Sequence, residues 1–171
     1  GQSSGTVTLT DEIIRENKVG DFETFLNEAN IECTLSVVND GIGNENIAFN
    51  FGETKIPLID IMSTGTSSLM LFYYWYLYIQ REVSFVFIDE FDAFYHHELS
   101  RLVIKKLKQS GVQFVITTHN NSVMSNDLMR PDCLYLMNNC KILSLPQCTE
   151  KELREEHNIE KIYKANGFHV K

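Results

Sequence analysis

The stretch FVFIDE, residues 85–90, decides the fold of this chain. Four apolar residues end abruptly in two adjacent carboxylates, Asp89 and Glu90. A short apolar run bounded by polar residues is typical of a strand in a parallel sheet that is buried on both faces. Open α/β sheets bind ligands in the crevice beyond the carboxyl ends of their strands. The stretch therefore predicts a buried central strand whose carboxylates face a ligand, with an acidic surface turn as the alternative.

Two further stretches stand in a fixed order around this strand. Residues 63–67, STGTS, form a hydroxyl-rich turn that leads into a long apolar helix. Residues 114–118, FVITT, form a second apolar strand, which ends in His119 and Asn120. The order is therefore turn, acidic strand and histidine-tipped strand.

This ordered trio resembles the carboxyl-terminal half of an ABC-type ATPase head, with its signature motif, its Walker B strand and D-loop, and its switch-histidine loop. The chain is similar above all to the SMC-like AAA ATPases of prokaryotic defence and overcoming-lysogenization-defect type, and the similarity covers roughly residues 56–126. The resemblance implies an α/β fold, the parallel-sheet core of a P-loop NTPase. The sequence itself predicts a small antiparallel meander near the N-terminus, made of three strand-like pieces within residues 33–58.

The resemblance also implies a role for each polar residue at the strand tips. Asp89 is expected to help hold Mg²⁺, and Glu90 to orient and deprotonate the water that attacks ATP. His119 is expected to contact the γ-phosphate. Asp92 and His96 fall in the D-loop region, which crosses the dimer interface in the family.

The hydroxyl-rich turn has a physical reason to bind an anion. The first turn of a helix has free N–H groups, and the helix dipole places about half a positive charge there. Gly65 permits close approach of the backbone, while Ser63 and Thr66 offer hydroxyl groups. By resemblance, these residues and Thr64 form the signature turn that reaches the γ-phosphate of ATP on a partner head, although many ABC proteins have glycine at the position of Thr64. An ordinary helix N-cap is the alternative.

The sequence contains no P-loop, because no Gly-x-x-x-x-Gly-Lys-Ser/Thr occurs in residues 1–171. Gly41 and Gly43 are assigned instead to a hairpin turn. We therefore expect this chain alone to hydrolyse ATP negligibly and to depend on the remainder of a parent protein, or on another subunit, for its P-loop. Residues 1–5 are predicted to be a linker or cloning remnant, and residues 6–171 a single domain.

Composition sets the broader expectations. The net charge is −8, so the surface as a whole is not that of a nucleic-acid-binding protein, and we expect any coupling to nucleic acid to be indirect. The four cysteines lack zinc-site spacing, which favours reduced thiols in the cytoplasm. The apolar run 69–79 is too short to span a membrane as a helix. ATP and Mg²⁺ are the expected cofactors, and a homodimer of heads is the assembly that the family implies.

Three alternatives remain open from the sequence. A metal-dependent nuclease could use Asp89, Glu90 and Asp92 on two cations. A metal cluster could form at His96, His97 and Glu98, although adjacent residues on a helix point about 100° apart, which disfavours shared ligation. A non-catalytic dimerisation or regulatory module could also retain this fold.

Overall fold

The structure, a computed structural model, describes residues 9–93, 95, 97–138, 140–149, 153, 158–165 and 167–168, with only the backbone at position 97. The chain divides into two compact units. The first comprises Gly1–Phe87 with Lys106–Val115, and the second comprises Ile88–Lys105 with Ile116–Lys171.

The first unit contains helices around a three-stranded antiparallel sheet. Its elements are α1 (Leu9–Arg15), α2 (Val19–Glu28), β1 (Leu35–Asn39), β2 (Glu45–Phe51), β3 (Thr54–Pro57), α3 (Leu58–Ile61) and α4 (Thr64–Glu82). The sheet has the order β1-β2-β3, with Leu35 opposite Phe49 and Phe49 opposite Ile56. The predicted meander is therefore confirmed.

The turn between β1 and β2 shows what the two glycines do. Gly41 and Gly43 both have a positive φ, 81° and 99°. The carboxylate of Asp40 accepts hydrogen bonds from the Asn44 side chain at 2.7 Å and from the backbone N–H of Ile42 at 2.9 Å. These bonds, led by that from Asn44, lower the pKa of Asp40. The glycines supply the left-handed backbone of a hairpin turn, as predicted.

Helix α4 carries the aromatic run of the sequence and packs against α2. The ring of Tyr73 lies 5.0 Å from that of Phe22 and 5.3 Å from that of Phe25, while Phe72 lies 6.0 Å from Phe25. Burial raises the pKa of Tyr73. Since aromatic side chains remove large areas from water, this contact anchors α4, and with it the turn at the start of α4.

An ion-pair cluster joins the end of α4 to α1. The guanidinium of Arg81 donates to Glu16 at 2.6 Å and to Glu12 at 3.3 Å. Glu12 is nearly buried and also pairs with Arg15. Two guanidinium groups thus compensate one buried carboxylate. No helix in the described part of the chain is both long and apolar enough to cross a bilayer.

The apolar part of the FVFIDE stretch forms β4 (Phe85–Ile88), which pairs in parallel with β5 (Gln113–Ile116). Phe85 and Phe87 are 50% and 58% exposed, and Val115 on β5 is 44% exposed. The prediction of a strand buried on both faces is therefore wrong for this chain. Within the described residues β4 pairs with β5 alone. The exposure of these three side chains shows that one face of this short sheet is open.

Helix α5 (His97–Gln109) connects β4 to β5 and buries Leu99, Val103, Ile104 and Leu107. Two of its basic residues form ion pairs, Arg101 with Asp127 and Lys106 with Glu28. Pairing of this kind is typical of a partly solvated helix face.

The second unit closes on a separate apolar cluster. After β5 come two 3₁₀ turns (Asn121–Val123 and Pro131–Cys133), the hairpin β6 (Tyr135–Asn138) and β7 (Lys141–Ser144), a third 3₁₀ turn (Leu145–Cys148) and α6 (Ile159–Lys164). Leu145, Cys148 and Ile159 are buried together with Met124 and Phe168. Met124 lies five residues after His119, at the end of the loop that follows β5. Its burial in this cluster therefore anchors that loop.

Candidate functional site

The turn that follows β4 presents Asp89 and Glu90 to solvent. Both carboxylates are exposed, while the next residue, Phe91, is buried. Glu90 has a φ of 44°, a left-handed conformation that is uncommon for glutamate. The backbone N–H of Ala93 donates to the carbonyl of Glu90 at 3.0 Å, which closes the turn. The buried side chain of Phe91 thus anchors the turn, while the carboxylates of Asp89 and Glu90 face solvent.

Thr117, the first residue after β5, makes four hydrogen bonds to this turn and to the end of β4. Its hydroxyl donates to Oδ1 of Asp89 and accepts the backbone N–H of Glu90 at 2.8 Å. Its carbonyl accepts the N–H of Phe91 at 3.2 Å, and its own N–H donates to the carbonyl of Ile88 at 3.0 Å. The position of both acids is therefore tied to one residue that directly follows the neighbouring strand.

Thr118 binds the next part of the same turn. Its hydroxyl lies 2.7 Å from each carboxylate oxygen of Asp92 and accepts the backbone N–H of Asn120 at 2.8 Å. The Asn120 side chain in turn accepts the N–H of Ser122 at 3.1 Å. Asp92 and the loop that carries the histidine are therefore linked through a single hydroxyl.

His119 stands at the tip of β5, beside the acids. Its Nε2 lies 3.8 Å from Oε1 of Glu90, and the two side chains are 94% and 64% exposed. This distance exceeds a hydrogen bond but allows an ion pair when the imidazole is protonated. The structure thus brings Asp89, Glu90, Asp92 and His119 together. His96 lies outside the described residues.

The sequence reasoning missed Thr117 and Thr118. The available signal was the pair of consecutive threonines between an apolar strand and a histidine, which places two hydroxyl groups at a strand tip. Their partners are 26 to 28 residues away in sequence. Periodicity along the chain carries no information about such contacts.

The hydroxyl-rich turn is built as a capped helix start in the first unit. Ser63 is the N-cap of α4, and its Oγ accepts the backbone N–H of Thr66 at 3.1 Å. The hydroxyls of Ser63 and Thr66 are 2.9 Å apart, and Thr66 is buried. A methyl group at Gly65 would meet only the Ser63 Oγ, at 3.8 Å. The turn therefore presents Thr64 and Gly65 while its two flanking hydroxyls bind each other.

The donor chemistry at the strand tips fits a magnesium ion in part. Mg²⁺ is commonly held by one or two carboxylates together with phosphate oxygens and water, and Asp89 offers a carboxylate of which Thr117 contacts one oxygen. Over the described residues, no group of three or more His, Cys, Asp or Glu side chains converges as metal ligands would. The His96–His97–Glu98 alternative lies partly outside those residues.

Solved structures with a similar fold come from SMC proteins. An SMC head bound to the C-winged helix domain of ScpA is 17% identical, with a TM-score of 0.50 over 75% of this chain and 43% of that chain. A chain from a study of ATP-driven dimerization and DNA-stimulated activation of SMC ATPases is 14% identical, with a TM-score of 0.56 over 93% of this chain and 99% of that chain. An SMC head domain with a coiled coil and joint from Pyrococcus yayanosii is 17% identical, with a TM-score of 0.51 over 91% and 32%. This chain therefore spans less than half of the first and third of these proteins.

The fold is that of a fragment of an SMC-like ATPase head. A family described as "AAA domain, putative AbiEii toxin, Type IV TA system" matches residues 9–125, more than half of the chain, and the chain belongs to this family. A comparison with curated protein sequences gave no significant match.

Proposed function

We propose that this chain is the signature, Walker B and switch-histidine half of an ATP-hydrolysing head. The observation that carries the proposal is the convergence of Asp89, Glu90 and His119 at the adjacent tips of β4 and β5, with 3.8 Å between the side chains of Glu90 and His119. A carboxylate can act as general base and an imidazole can stabilise developing charge in the hydrolysis of a phosphoanhydride.

Each of these residues has a distinct task in the proposed reaction. Glu90 orients a water molecule and accepts its proton as the water attacks the γ-phosphate. His119 lies on the same side of the turn and stabilises the charge that develops on the phosphate oxygens. Asp89 supplies a carboxylate oxygen to Mg²⁺, which when bound neutralises phosphate charge. Positioning and charge stabilisation account for most catalysis of phosphoryl transfer, so this half alone has little activity.

The signature turn acts on a second nucleotide in this proposal. The first turn of α4 offers free N–H groups and the positive end of a 19-residue helix. Gly65 leaves space for a phosphate to approach the backbone. We infer that Thr64 and Gly65, supported by Ser63 and Thr66, contact the γ-phosphate bound to a partner head, which requires a dimer of heads.

The open face of β4 and β5 supports the need for a further part of the head. Phe85, Phe87 and Val115 are exposed on strands of high β propensity, and apolar residues of this size are normally covered. The chain spans 43% of the similar SMC head. We propose that the part carrying the P-loop covers this face, and that residues 6–171 form one functional lobe of a cytoplasmic ATPase coupled to a DNA-related or phage-defence effector.

The decisive experiment compares ATP hydrolysis by the full-length parent protein, by this chain alone and by the parent carrying Glu90→Gln. Activity in the parent that is absent from both other samples supports the proposal. Absence of both hydrolysis and Mg²⁺-ATP binding in the parent would refute it and favour a non-catalytic dimerisation module. Cleavage of DNA by this chain with Mg²⁺ and without ATP would favour the nuclease.

A further inference from the structure

One hydroxyl group holds both acids of the site, and it does so in two different ways. The hydroxyl of Thr117 donates its proton to Oδ1 of Asp89 and accepts the backbone N–H of Glu90 at 2.8 Å. A hydroxyl has a single proton. Because that proton is used on Asp89, the lone pairs of the same oxygen remain for Glu90, so the two contacts fit together without competition.

The backbone of Glu90 has a reason to need this support. Adjacent residues of a strand point to opposite faces, so two consecutive acids reach the same crevice only if the chain leaves the extended conformation between them. Glu90 does so with a φ of 44°, which is unfavourable for a residue with a Cβ. Such conformations persist where surrounding contacts determine them. The contacts to Glu90 and Phe91 include the hydroxyl and the carbonyl of Thr117.

We propose that Thr117 is a positioning residue for the acids of this site. Its hydroxyl sets the rotamer of Asp89 and, through the N–H of Glu90, the left-handed turn that aims the Glu90 carboxylate. Thr117 itself does not touch the reacting atoms. The inference rests on the proposed function of Asp89 and Glu90, and it adds a residue that contacts both from the end of the neighbouring strand.

Two substitutions distinguish the contribution of the Thr117 hydroxyl from that of the Thr117 backbone. Valine has nearly the shape of threonine without the hydroxyl, whereas serine keeps the hydroxyl. The N–H of Glu90 binds the side chain of Thr117, but the N–H of Phe91 binds its backbone carbonyl at 3.2 Å. Thr117→Val therefore removes the partner of one amide and leaves the partner of the next in place.

The test measures steady-state ATP hydrolysis, ATP binding and single-residue hydrogen exchange on the full-length parent protein. Thr117→Val is expected to lower kcat about 100-fold, the effect of a misplaced catalytic group, without weakening ATP binding. The Glu90 amide is expected to exchange roughly fivefold faster, as for loss of one hydrogen bond, and the Phe91 amide to keep its rate. Thr117→Ser is expected to restore both kcat and the wild-type exchange rate of the Glu90 amide.

The control is Thr24→Val, because the Thr24 hydroxyl donates to the Gly20 carbonyl at 3.1 Å on the exposed face of α2. This variant is expected to match the wild type. An active parent in which Thr117→Val keeps its kcat, or in which Ser fails to restore what Val removes, would overturn the inference and leave the proposed function standing. A wild-type parent without ATPase activity would instead overturn the proposed function, while the exchange of the Glu90 amide still reports on the contact.

Discussion

The imidazole of His119 and the carboxylate of Glu90 face each other across the tips of two parallel strands, with 3.8 Å between Nε2 and Oε1. Both side chains are largely exposed, so neither is held there by burial. Their proximity follows instead from the pairing of β4 with β5 and from the turn after β4. Residues arranged in this way are expected to act on one substrate group as a unit.

The first prediction concerns the coupling of this pair. Glu90→Gln and His119→Ala are each expected to lower the ATPase kcat of the parent by about 100-fold or more. The kcat of the double variant is expected to be close to that of the less active single variant, because the effects of substituting residues that act together do not add. Single-turnover ATP hydrolysis by the wild type, the two single variants and the double variant measures this coupling. Glu53→Gln, on an exposed turn of the first unit, is the matched control, and its effect is expected to add to that of His119→Ala.

A second prediction separates capping from phosphate binding at Ser63. Ser63→Ala is expected to lower the free energy of unfolding by about 1 kcal/mol, because the cap of α4 is lost. Ser63→Asp keeps a capping oxygen and is expected to retain stability, but it places a negative charge where the proposed γ-phosphate approaches. Thermal unfolding and ATPase assays on the same samples check this. Full activity in Ser63→Asp would show that the turn only caps a helix.

Gly65 provides a third prediction, in which stability is kept or raised while activity is lost. A Cβ at this position meets only Ser63 Oγ at 3.8 Å, and the residue lies within a helix. Gly65→Ala is therefore expected to keep or raise the free energy of unfolding, by up to about 1 kcal/mol, while it lowers ATP-dependent activity by crowding the phosphate. The control is Gly20→Ala in α2, where a Cβ meets nothing within 4 Å. Equal activity in both variants would contradict a signature role for Gly65.

The fourth prediction uses the pH dependence of thiol reactivity. Burial, with a smaller contribution from Glu23, raises the pKa of Cys33 to about 11. Since the folded state favours the neutral thiol, its contribution to stability is complete below the unfolded pKa of about 8.5 and is lost as the pH rises through about 11. At pH 8, iodoacetamide is expected to modify Cys33 on the order of 100-fold more slowly in the folded chain than in urea.

Mass spectrometry of the modified peptides provides the measurement for this prediction. Cys133 and Cys140 are exposed and serve as internal controls that react in the folded chain. Cys148 is buried, and burial raises its pKa, so it is expected to react slowly as well. Rapid modification of Cys33 in the folded chain at pH 8 would contradict its described environment.

A fifth prediction addresses the open face of the two-stranded sheet. Phe87 is 58% exposed, so Phe87→Gln is expected to change the free energy of unfolding of this chain little. If the part that carries the P-loop covers this face, the same change is expected to weaken its association with this chain by about 1 to 2 kcal/mol. Titration of the two separately produced parts measures the affinity. Ile42→Gln, in the exposed hairpin turn, is the control and is expected to leave the affinity unchanged.

Local pattern accounts for most of the elements. The alternation and turn residues of 33–58 predict the meander, and the glycines of its first turn have the positive φ expected of them. The apolar runs that end at Asp89 and at His119 predict β4 and β5. The burial of β4 could not be predicted in the same way, because burial depends on which strands lie beside it.

The order of the motifs and the elements that carry them can be predicted from the sequence, because both depend on short-range periodicity and on polar residues at strand ends. The tertiary structure alone decided that Thr117 holds Asp89 and Glu90, and that Thr118 holds Asp92. Strand pairing decided these contacts, because it joins hydroxyl and carboxylate groups that lie 26 to 28 residues apart.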